Sequence, residues 1–78
     1  MPEEIRLPEL GDDAPDEAEV SFWYVDEGDE VDEGDDLVEM VTDKAAFTVP
    51  SPVSGVIRSI EAQEGDKVEV GGLLAIAD

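Results

Sequence analysis

The stretch VDEGDEVDEGDDL at residues 25–37 decides the fold, because its pattern returns as AQEGDKVEVGGLL at residues 62–74. The two copies are offset by 37 residues, and the motif E-G-D-x-V occupies the same place in each. So many matches in one register indicate an internal repeat, which extends over residues 18–41 and 55–78. Two copies are too few for a solenoid, so the repeat predicts a small domain with pseudo-twofold symmetry.

Both copies have the composition of β-structure. Glycine followed by aspartate or a second glycine marks the turns, and runs rich in aromatic and β-branched residues lie between them. No window shows the 3.6-residue apolar period of an amphipathic helix. The sequence therefore predicts an all-β sandwich or flattened barrel. The predicted strands are residues 4–7, 19–26, 37–42, 45–49, 53–62 and 73–77.

The repeat also predicts which side chains are buried. Apolar residues match between the copies, and we expect both members of each pair to face the core: Val20 with Ile57, Trp23 with Ile60, and Val25 with Ala62. The step of three from Val20 to Trp23 interrupts strict alternation and predicts a β-bulge. Phe22 and Tyr24 match polar residues in the second copy, so we expect the two aromatic side chains to be partly exposed.

The two halves differ in length at one place. Twelve steps separate Pro8 from Val20, whereas seven separate Pro50 from Ile57. The first half therefore carries about five extra residues, within residues 11–17. An insertion into one half of a symmetric fold is where a loop with its own function is expected. The alternative is a solvated acidic loop.

The charge balance restricts the partners. Four Lys and Arg residues stand against 23 Asp and Glu residues, which gives a net charge of −19. A surface this acidic repels phosphate backbones and anionic lipids, so nucleic acid and membranes are poor partners. The 78 residues predict one domain, which we expect to be a monomer.

Several residue types that carry chemistry or mark a compartment are missing from the sequence. The chain has no cysteine and no histidine, which removes thiol chemistry and the usual general base. No apolar run approaches the ~20 residues that span a bilayer. The start, MPEE, lacks the basic region of a signal peptide and the arginines of a transit peptide. We therefore expect a cytoplasmic location, or the mitochondrial matrix if a presequence was removed.

One lysine stands in a turn between two predicted strands. Thr42 and Asp43 favour tight turns through side-chain to backbone hydrogen bonds, so residues 42–45 can reverse the chain into a hairpin. Lys44 would then stand at the hairpin tip. A lone lysine in a turn is commonly a solvated side chain, but the other turns of this sequence are filled with Asp, Glu and Gly.

The chain resembles the lipoyl domains of 2-oxoacid dehydrogenase complexes over essentially its whole length. The matching motifs are IRLPELG, E-G-D-x-V-x-x-G-D-x-L, EMVTDKA and VPSPVSGV, of which D-K-A is the most diagnostic. The resemblance implies two small antiparallel sheets of about four strands each, related by a pseudo-twofold axis. It also implies that residues 1–78 are a single lipoyl domain and that Lys44, at the hairpin tip, carries lipoic acid as an amide.

The resemblance implies a carrier rather than an enzyme, with no catalytic side chain and no metal of its own. Lipoate on Lys44 would act as a swinging arm for acyl groups and electrons, attached by a lipoate ligase or lipoyl transferase. The arm would serve a thiamine-diphosphate-dependent 2-oxoacid decarboxylase, the catalytic domain of an acyltransferase, and a dihydrolipoyl dehydrogenase. The chain would be free-standing or one domain of a dihydrolipoyllysine-residue acyltransferase.

Two sets of residues are implied to be recognised by other proteins. Asp43 and Ala45 match the positions that the modifying enzyme recognises, and both also suit a turn. The loop at residues 11–17 resembles the one that helps the decarboxylase to select its carrier. The family usually has Gly-Glu-Gly there, whereas this chain has Gly11, Asp12 and Asp13. This departure leaves the cognate decarboxylase open.

Three alternatives remain. A biotin carrier domain of a carboxylase has the same fold, but its motif places methionine on each side of the lysine, where this chain has Asp43 and Ala45. An unmodified interaction module of the same fold would be unaffected by replacement of Lys44. An enzyme could use paired carboxylates, but here the carboxylates lie mostly in turns beside glycine. The sequence has no D-x-D-x-D-G calcium loop.

Overall fold

The computed structural model describes residues 2–9 and 16–78. Within these ranges the chain forms eight β-strands. They are β1 (Glu3–Arg6), β2 (Glu17–Trp23), β3 (Glu30–Val31), β4 (Asp36–Val41), β5 (Ala46–Pro50), β6 (Gly55–Ile60), β7 (Lys67–Glu69) and β8 (Leu73–Ala77). The described residues contain no helix that could cross a membrane.

The strands form two antiparallel sheets of four. One sheet has the order β1-β8-β6-β3, and the other has the order β5-β4-β2-β7. This arrangement confirms the predicted all-β fold of two small antiparallel sheets. Strands β3 and β7 are missing from the prediction, because runs of two and three residues are too short to show an alternating pattern.

Backbone hydrogen bonds connect the two halves reciprocally. The N–H of Gly28 donates to the carbonyl of Ile57 at 2.7 Å, and the N–H of Gly65 donates to the carbonyl of Val20 at 2.8 Å. Gly28 and Gly65 are 37 residues apart, as are Val20 and Ile57. Each half therefore supplies a turn whose backbone bonds to the long strand of the other half.

Two glutamates extend this reciprocal contact through their side chains. The Glu27 carboxylate accepts a hydrogen bond from the N–H of Ile60 at 2.9 Å. The Glu64 carboxylate accepts one from the N–H of Trp23 at 3.3 Å. Because these two pairs again differ by 37 residues, the glutamate of the repeated E-G-D motif has a structural role in both copies.

Three turns share the sequence x-E-G-D, at residues 26–29, 32–35 and 63–66. The third residue of each is a glycine with a φ of +93°: Gly28, Gly34 and Gly65. The aspartate in fourth place accepts a hydrogen bond from the first N–H at 2.8–2.9 Å: Asp29, Asp35 and Asp66. Glycine tolerates positive φ without steric cost, and the carboxylate closes the turn, which explains why G-D recurs.

The fourth turn of the repeat, at residues 69–72, has glycine in place of the aspartate. A Cβ at Gly72 would lie 2.7 Å from the Val68 side chain and 2.8 Å from the Glu69 carbonyl oxygen. Both distances are shorter than van der Waals contact, so only glycine fits. The exception to the repeat is therefore explained by the close approach of strand β7.

The core lies between the two sheets and confirms most of the burial predictions. Val20, Trp23, Ile57 and Ala62 are buried, whereas Val25 and Ile60 are partly buried and pack against the core. The Trp23 indole N–H donates to the Ala62 carbonyl at 2.8 Å, which satisfies its polar atom. The predicted bulge is also confirmed, because the pairing of β2 with β4 shifts register between Val20 and Phe22.

The predicted length of the insertion is wrong. Ile5 pairs with Ala75, and Val49 pairs with Val38. Because Ala75 and Val38 are 75 − 38 = 37 residues apart, Ile5 corresponds to Val49, at an offset of 49 − 5 = 44. The first half therefore carries 44 − 37 = 7 extra residues rather than about five. The prediction treats Pro8 and Pro50 as equivalent, whereas the sheet register makes Ile5 equivalent to Val49.

Candidate functional site

The hairpin between β4 and β5 holds the lysine predicted as the attachment site. Val41 pairs with Ala46 at the end of the ladder, which leaves the four residues 42–45 as the loop. The N–H of Thr42 donates to the carbonyl of Ala45 at 2.8 Å and closes that loop. Lys44 is therefore the third of the four loop residues, and the loop joins two paired strands.

The Thr42 hydroxyl fixes the shape of the loop. Its Oγ1 accepts hydrogen bonds from the N–H groups of Lys44 at 3.2 Å and Ala45 at 3.1 Å, and it donates to the Ala45 carbonyl at 3.2 Å. The sequence predicted this kind of bond for both Thr42 and Asp43. Of these two loop residues only Thr42 makes it in the described structure, so the Asp43 carboxylate stays available for contacts outside the loop.

Three consecutive side chains of the loop are exposed: Asp43, Lys44 and Ala45. The ion pairs within residues 2–9 and 16–78 are Arg6 with Glu4 at 2.7 Å and Arg58 with Asp78 at 3.6 Å. Neither pair involves Lys44, so no described carboxylate holds its amine against the surface. The structure thus presents a primary amine on the loop of a hydrogen-bonded hairpin, where a second protein can surround it.

A shallow cavity of about 440 Å³ lies beside the hairpin. It is lined by Glu17, Ala18, Glu19, Val41, Thr42, Asp43 and Lys67. Sequence reasoning missed this juxtaposition, because the predicted strands leave Lys67 in the connection between residues 62 and 73. Lys67 instead begins strand β7 and pairs with Glu19 of β2, so the second lysine of the chain lies on a sheet. The regular ladder around Lys67 distinguishes it from the lysine on the loop.

The loop residues predicted for partner selection, Gly11, Asp12 and Asp13, lie outside the described residues. The chain after the loop is described from Asp16, whose carbonyl accepts a hydrogen bond from the N–H of Val70 at 2.8 Å. Strand β2 then begins at Glu17, which also lines the cavity beside the hairpin. The segment that follows the insertion is thus next to the hairpin that carries Lys44.

The carboxylates of the described chain are distributed over the surface. Every described Asp and Glu is exposed except Glu39, which is half-buried. No three of them come together in a group that could hold a metal ion, within the ranges that the structure covers. The buried polar side chain in this part of the chain is Ser51, whose hydroxyl is bonded to the backbone of Val53. The arrangement therefore suits a presented lysine better than an enclosed acid–base cleft.

The comparisons with known proteins agree on one family. The model of the biotin- and lipoyl-attachment family, described as Biotin-requiring enzyme, matches residues 3–76. The chain is 43% identical over 72 residues to the dihydrolipoyllysine-residue acetyltransferase component of the pyruvate dehydrogenase complex from Corynebacterium glutamicum. It is 45% identical over 78 residues to the dihydrolipoyllysine-residue succinyltransferase component of the 2-oxoglutarate dehydrogenase complex from Bartonella vinsonii subsp. berkhoffii. These matches cover 92% and 100% of this chain but only 10% and 19% of the two relatives.

Solved structures share the fold. The lipoyl domain of the 2-oxoglutarate dehydrogenase complex from Azotobacter vinelandii superposes with a TM-score of 0.74 at 29% identity, covering 96% of this chain and 94% of that one. A single-chain, multi-domain long-chain acyl-CoA carboxylase superposes with a TM-score of 0.77 at 19% identity, covering 96% of this chain and 7% of that one. The second likeness shows the fold alone, so backbone shape does not distinguish between the two kinds of carrier.

Proposed function

Because this chain belongs to the biotin- and lipoyl-attachment family, we propose that Lys44 is the residue on which it carries its group. The observation that supports this most strongly is the position of Lys44 on the four-residue loop that joins two paired strands. Its neighbours on the loop, Asp43 and Ala45, are both exposed. The other lysine, Lys67, lies on the edge strand β7, where its backbone pairs with Glu19 of β2. A modifying enzyme that must enclose the amine would have access to Lys44 from both sides.

Within the family the chain is a lipoyl domain, a non-catalytic carrier, and lipoyl domains carry lipoic acid covalently on a lysine. Its relatives are named for dihydrolipoyllysine, and the lipoyl domain from Azotobacter vinelandii matches over nearly the whole of both chains. The residues beside the lysine agree with this assignment, because Asp43 and Ala45 stand where a biotin carrier would have methionines. Biotin on Lys44 remains the second candidate, since a carboxylase shares the fold.

The residues present fit an amide-linked lipoyl group. The Lys44 amine is exposed and the Thr42 hydroxyl holds the backbone on the C-terminal side of the loop, so the root of the arm is fixed while its far end is free. When bound, lipoate supplies a dithiolane ring with redox and acyl-transfer chemistry. The chain contributes the position of the ring and leaves proton transfer to the enzymes that it visits.

The partners follow from the same proposal. The chain spans less than a fifth of the two relatives, so we propose that residues 1–78 act as one lipoyl domain of a 2-oxoacid dehydrogenase complex. The domain would be modified by a lipoate ligase or lipoyl transferase. It would then visit a thiamine-diphosphate-dependent decarboxylase, an acyltransferase domain and dihydrolipoyl dehydrogenase, in the cytoplasm or a mitochondrial matrix. The two relatives belong to different complexes. We propose that Gly11, Asp12 and Asp13 select the decarboxylase, and that Asp43 and Ala45 are recognised by the modifying enzyme.

Reductive acylation tests the proposal. The lipoylated protein would be incubated with a labelled 2-oxoacid and its decarboxylase, using the pyruvate, 2-oxoglutarate and branched-chain enzymes in parallel. We expect at least one enzyme to transfer label to the wild type and to Lys67→Arg, and none to transfer it to Lys44→Arg. Label on Lys44→Arg, or on none of the proteins with any of the three enzymes, would contradict the proposal.

A further inference from the structure

The sheet that carries the hairpin also carries an exposed aromatic pair. Phe22 and Tyr24 are each 48% exposed, although Trp23 between them is buried. Their ring centroids are 5.2 Å apart and the ring planes lie at 83°, which is an edge-to-face contact. About half of each aromatic residue therefore faces water, on a chain with a net charge of −19.

The fold does not require aromatic residues at these positions. The corresponding residues of the second half are Ser59 and Glu61, 37 positions later. There the Ser59 hydroxyl donates to the Glu61 carboxylate at 2.7 Å, so the same backbone accepts a polar pair. Packing of the fold therefore does not require the aromatic side chains at positions 22 and 24, although the two halves differ there.

Negative charge lies directly beside the pair. Glu39 of β4 is the cross-strand partner of Phe22, and paired residues project from the same face of a sheet. Glu19 lies on β2, the strand of Phe22, and pairs with Val41 of β4. A face of exposed rings next to carboxylates, on a chain of net charge −19, is complementary to a cation that can also stack.

We propose that Phe22, Tyr24 and Glu39 form a docking surface for an arginine-bearing segment of a partner protein. A guanidinium is planar, stacks on an aromatic ring and bonds a carboxylate through two N–H groups, whereas a lysine ammonium is a strongly hydrated point charge. A second copy of this chain is disfavoured as the occupant, because each copy has a charge of −19. Phe22 lies on β2 and Glu39 on β4, and Tyr24 follows β2 directly and donates its N–H to the Leu37 carbonyl of β4 at 2.8 Å. Because β4 leads into the Lys44 hairpin, a bound segment lies beside the sheet that carries the attachment site.

Titration with peptides of equal charge tests this surface, independently of whether Lys44 is modified. Hexa-arginine and hexa-lysine would be added to the full chain in 150 mM NaCl, and amide shifts followed by NMR. We expect hexa-arginine to bind about two- to fivefold more tightly, the value of a cation–π contact at an exposed site. We expect the largest shifts at residues 22–24 and 38–40. The substitutions Phe22→Ser with Tyr24→Glu copy the second half and should remove the preference for arginine.

Two further variants complete the design. Glu39→Gln keeps the shape of the side chain and should weaken hexa-arginine binding, which preserves a test if the double substitution fails to fold. Val56→Ser removes an exposed apolar side chain on the other sheet and should leave the preference unchanged. Equal affinity for the two peptides, shifts spread evenly over the acidic surface, or a preference that survives the double substitution would overturn the proposal. Self-association of the chain through this face, abolished by the double substitution, would also overturn it.

Discussion

The two halves of the molecule share their scaffold and differ in their presented surfaces. Both halves use the same E-G-D turns, the same reciprocal hydrogen bonds and matching buried positions. Met40 pairs with Phe47 in the first half, and the corresponding pair in the second half is Ala77 with Glu3. The first pair belongs to consecutive strands joined by the Lys44 hairpin, whereas the second joins the first and last strands.

This comparison separates residues that serve the fold from residues that serve function. Positions that repeat at an offset of 37, such as Gly28 with Gly65, are those on which both sheets depend. Positions that do not repeat are the hairpin at residues 42–45, the insertion before β2, and the aromatic pair Phe22 and Tyr24. The shared scaffold thus presents a lysine in one half, whereas the corresponding strand pair of the other half joins the first and last strands.

The largest effect on stability is expected where the repeat has its one glycine exception. Gly72→Asp would give the fourth turn the glycine–aspartate pair of the others, but its Cβ would overlap Val68 and the Glu69 carbonyl. Overpacking of this kind costs about 1–3 kcal/mol, to be measured by urea unfolding followed through Trp23 fluorescence. The reverse exchange, Asp35→Gly, loses one hydrogen bond and should cost about 1 kcal/mol. A neutral Gly72→Asp would show that the fourth turn is not constrained.

Next in size are the glycines with positive φ. Alanine at Gly28 or Gly65 has open space around its Cβ but must adopt a φ of +93°. We expect each substitution to cost about 1–2 kcal/mol, because the strain lies in the backbone. The comparison predicts equal costs for the two sites in thermal or urea unfolding. Costs that differ by more than the measurement error would break the proposed equivalence of the halves.

The reciprocal glutamates should give a smaller and unequal pair of effects. Glu27→Ala removes an acceptor 2.9 Å from the Ile60 N–H, whereas Glu64→Ala removes one 3.3 Å from the Trp23 N–H. Both acceptors are exposed, so we expect a loss of about 1 kcal/mol for Glu27→Ala and less for Glu64→Ala. Hydrogen exchange at the two amides measures the effect locally. Exchange that is unchanged at Ile60 in Glu27→Ala would contradict the role of this bond.

The smallest expected effect on stability is at the loop itself. Thr42→Ala removes the hydroxyl that bonds the Lys44 and Ala45 N–H groups, and Thr42→Ser keeps it. We expect a loss of about 0.5–1 kcal/mol for the alanine variant only. Because the loop shape is what a modifying enzyme encounters, lipoylation should be slower in Thr42→Ala than in Thr42→Ser. Equal rates, measured by intact mass over time, would show that the hydroxyl does not shape the site.

Much of this could be predicted from the sequence because the repeat gives two observations of each position. The matching of Val20 with Ile57 predicted burial, and the step to Trp23 predicted the bulge. The length of the insertion was mispredicted, because it depends on strand register, which proline positions do not fix. The seven residues were revealed only by the pairs of Ile5 and Val49.

The site was predictable to the same degree. Lys44 was identified from turn chemistry and from its D-K-A motif, and the structure places it on the expected hairpin. The choice of Thr42 over Asp43 as the loop's hydrogen-bonding side chain depends on local geometry, since both residue types suit the role. The position of Lys67 beside Glu19 depends on a three-residue strand, which carries no pattern of its own.

Peptide mass mapping after coexpression with a lipoate ligase and lipoic acid tests the central claim most directly. Lys44 and Lys67 are the two lysines of the chain, so each protein is its own control. We predict a single lipoyl amide on Lys44 in the wild type and in Lys67→Arg, and none in Lys44→Arg. Modification of Lys67, or an unmodified Lys44 in a folded chain, would contradict the account.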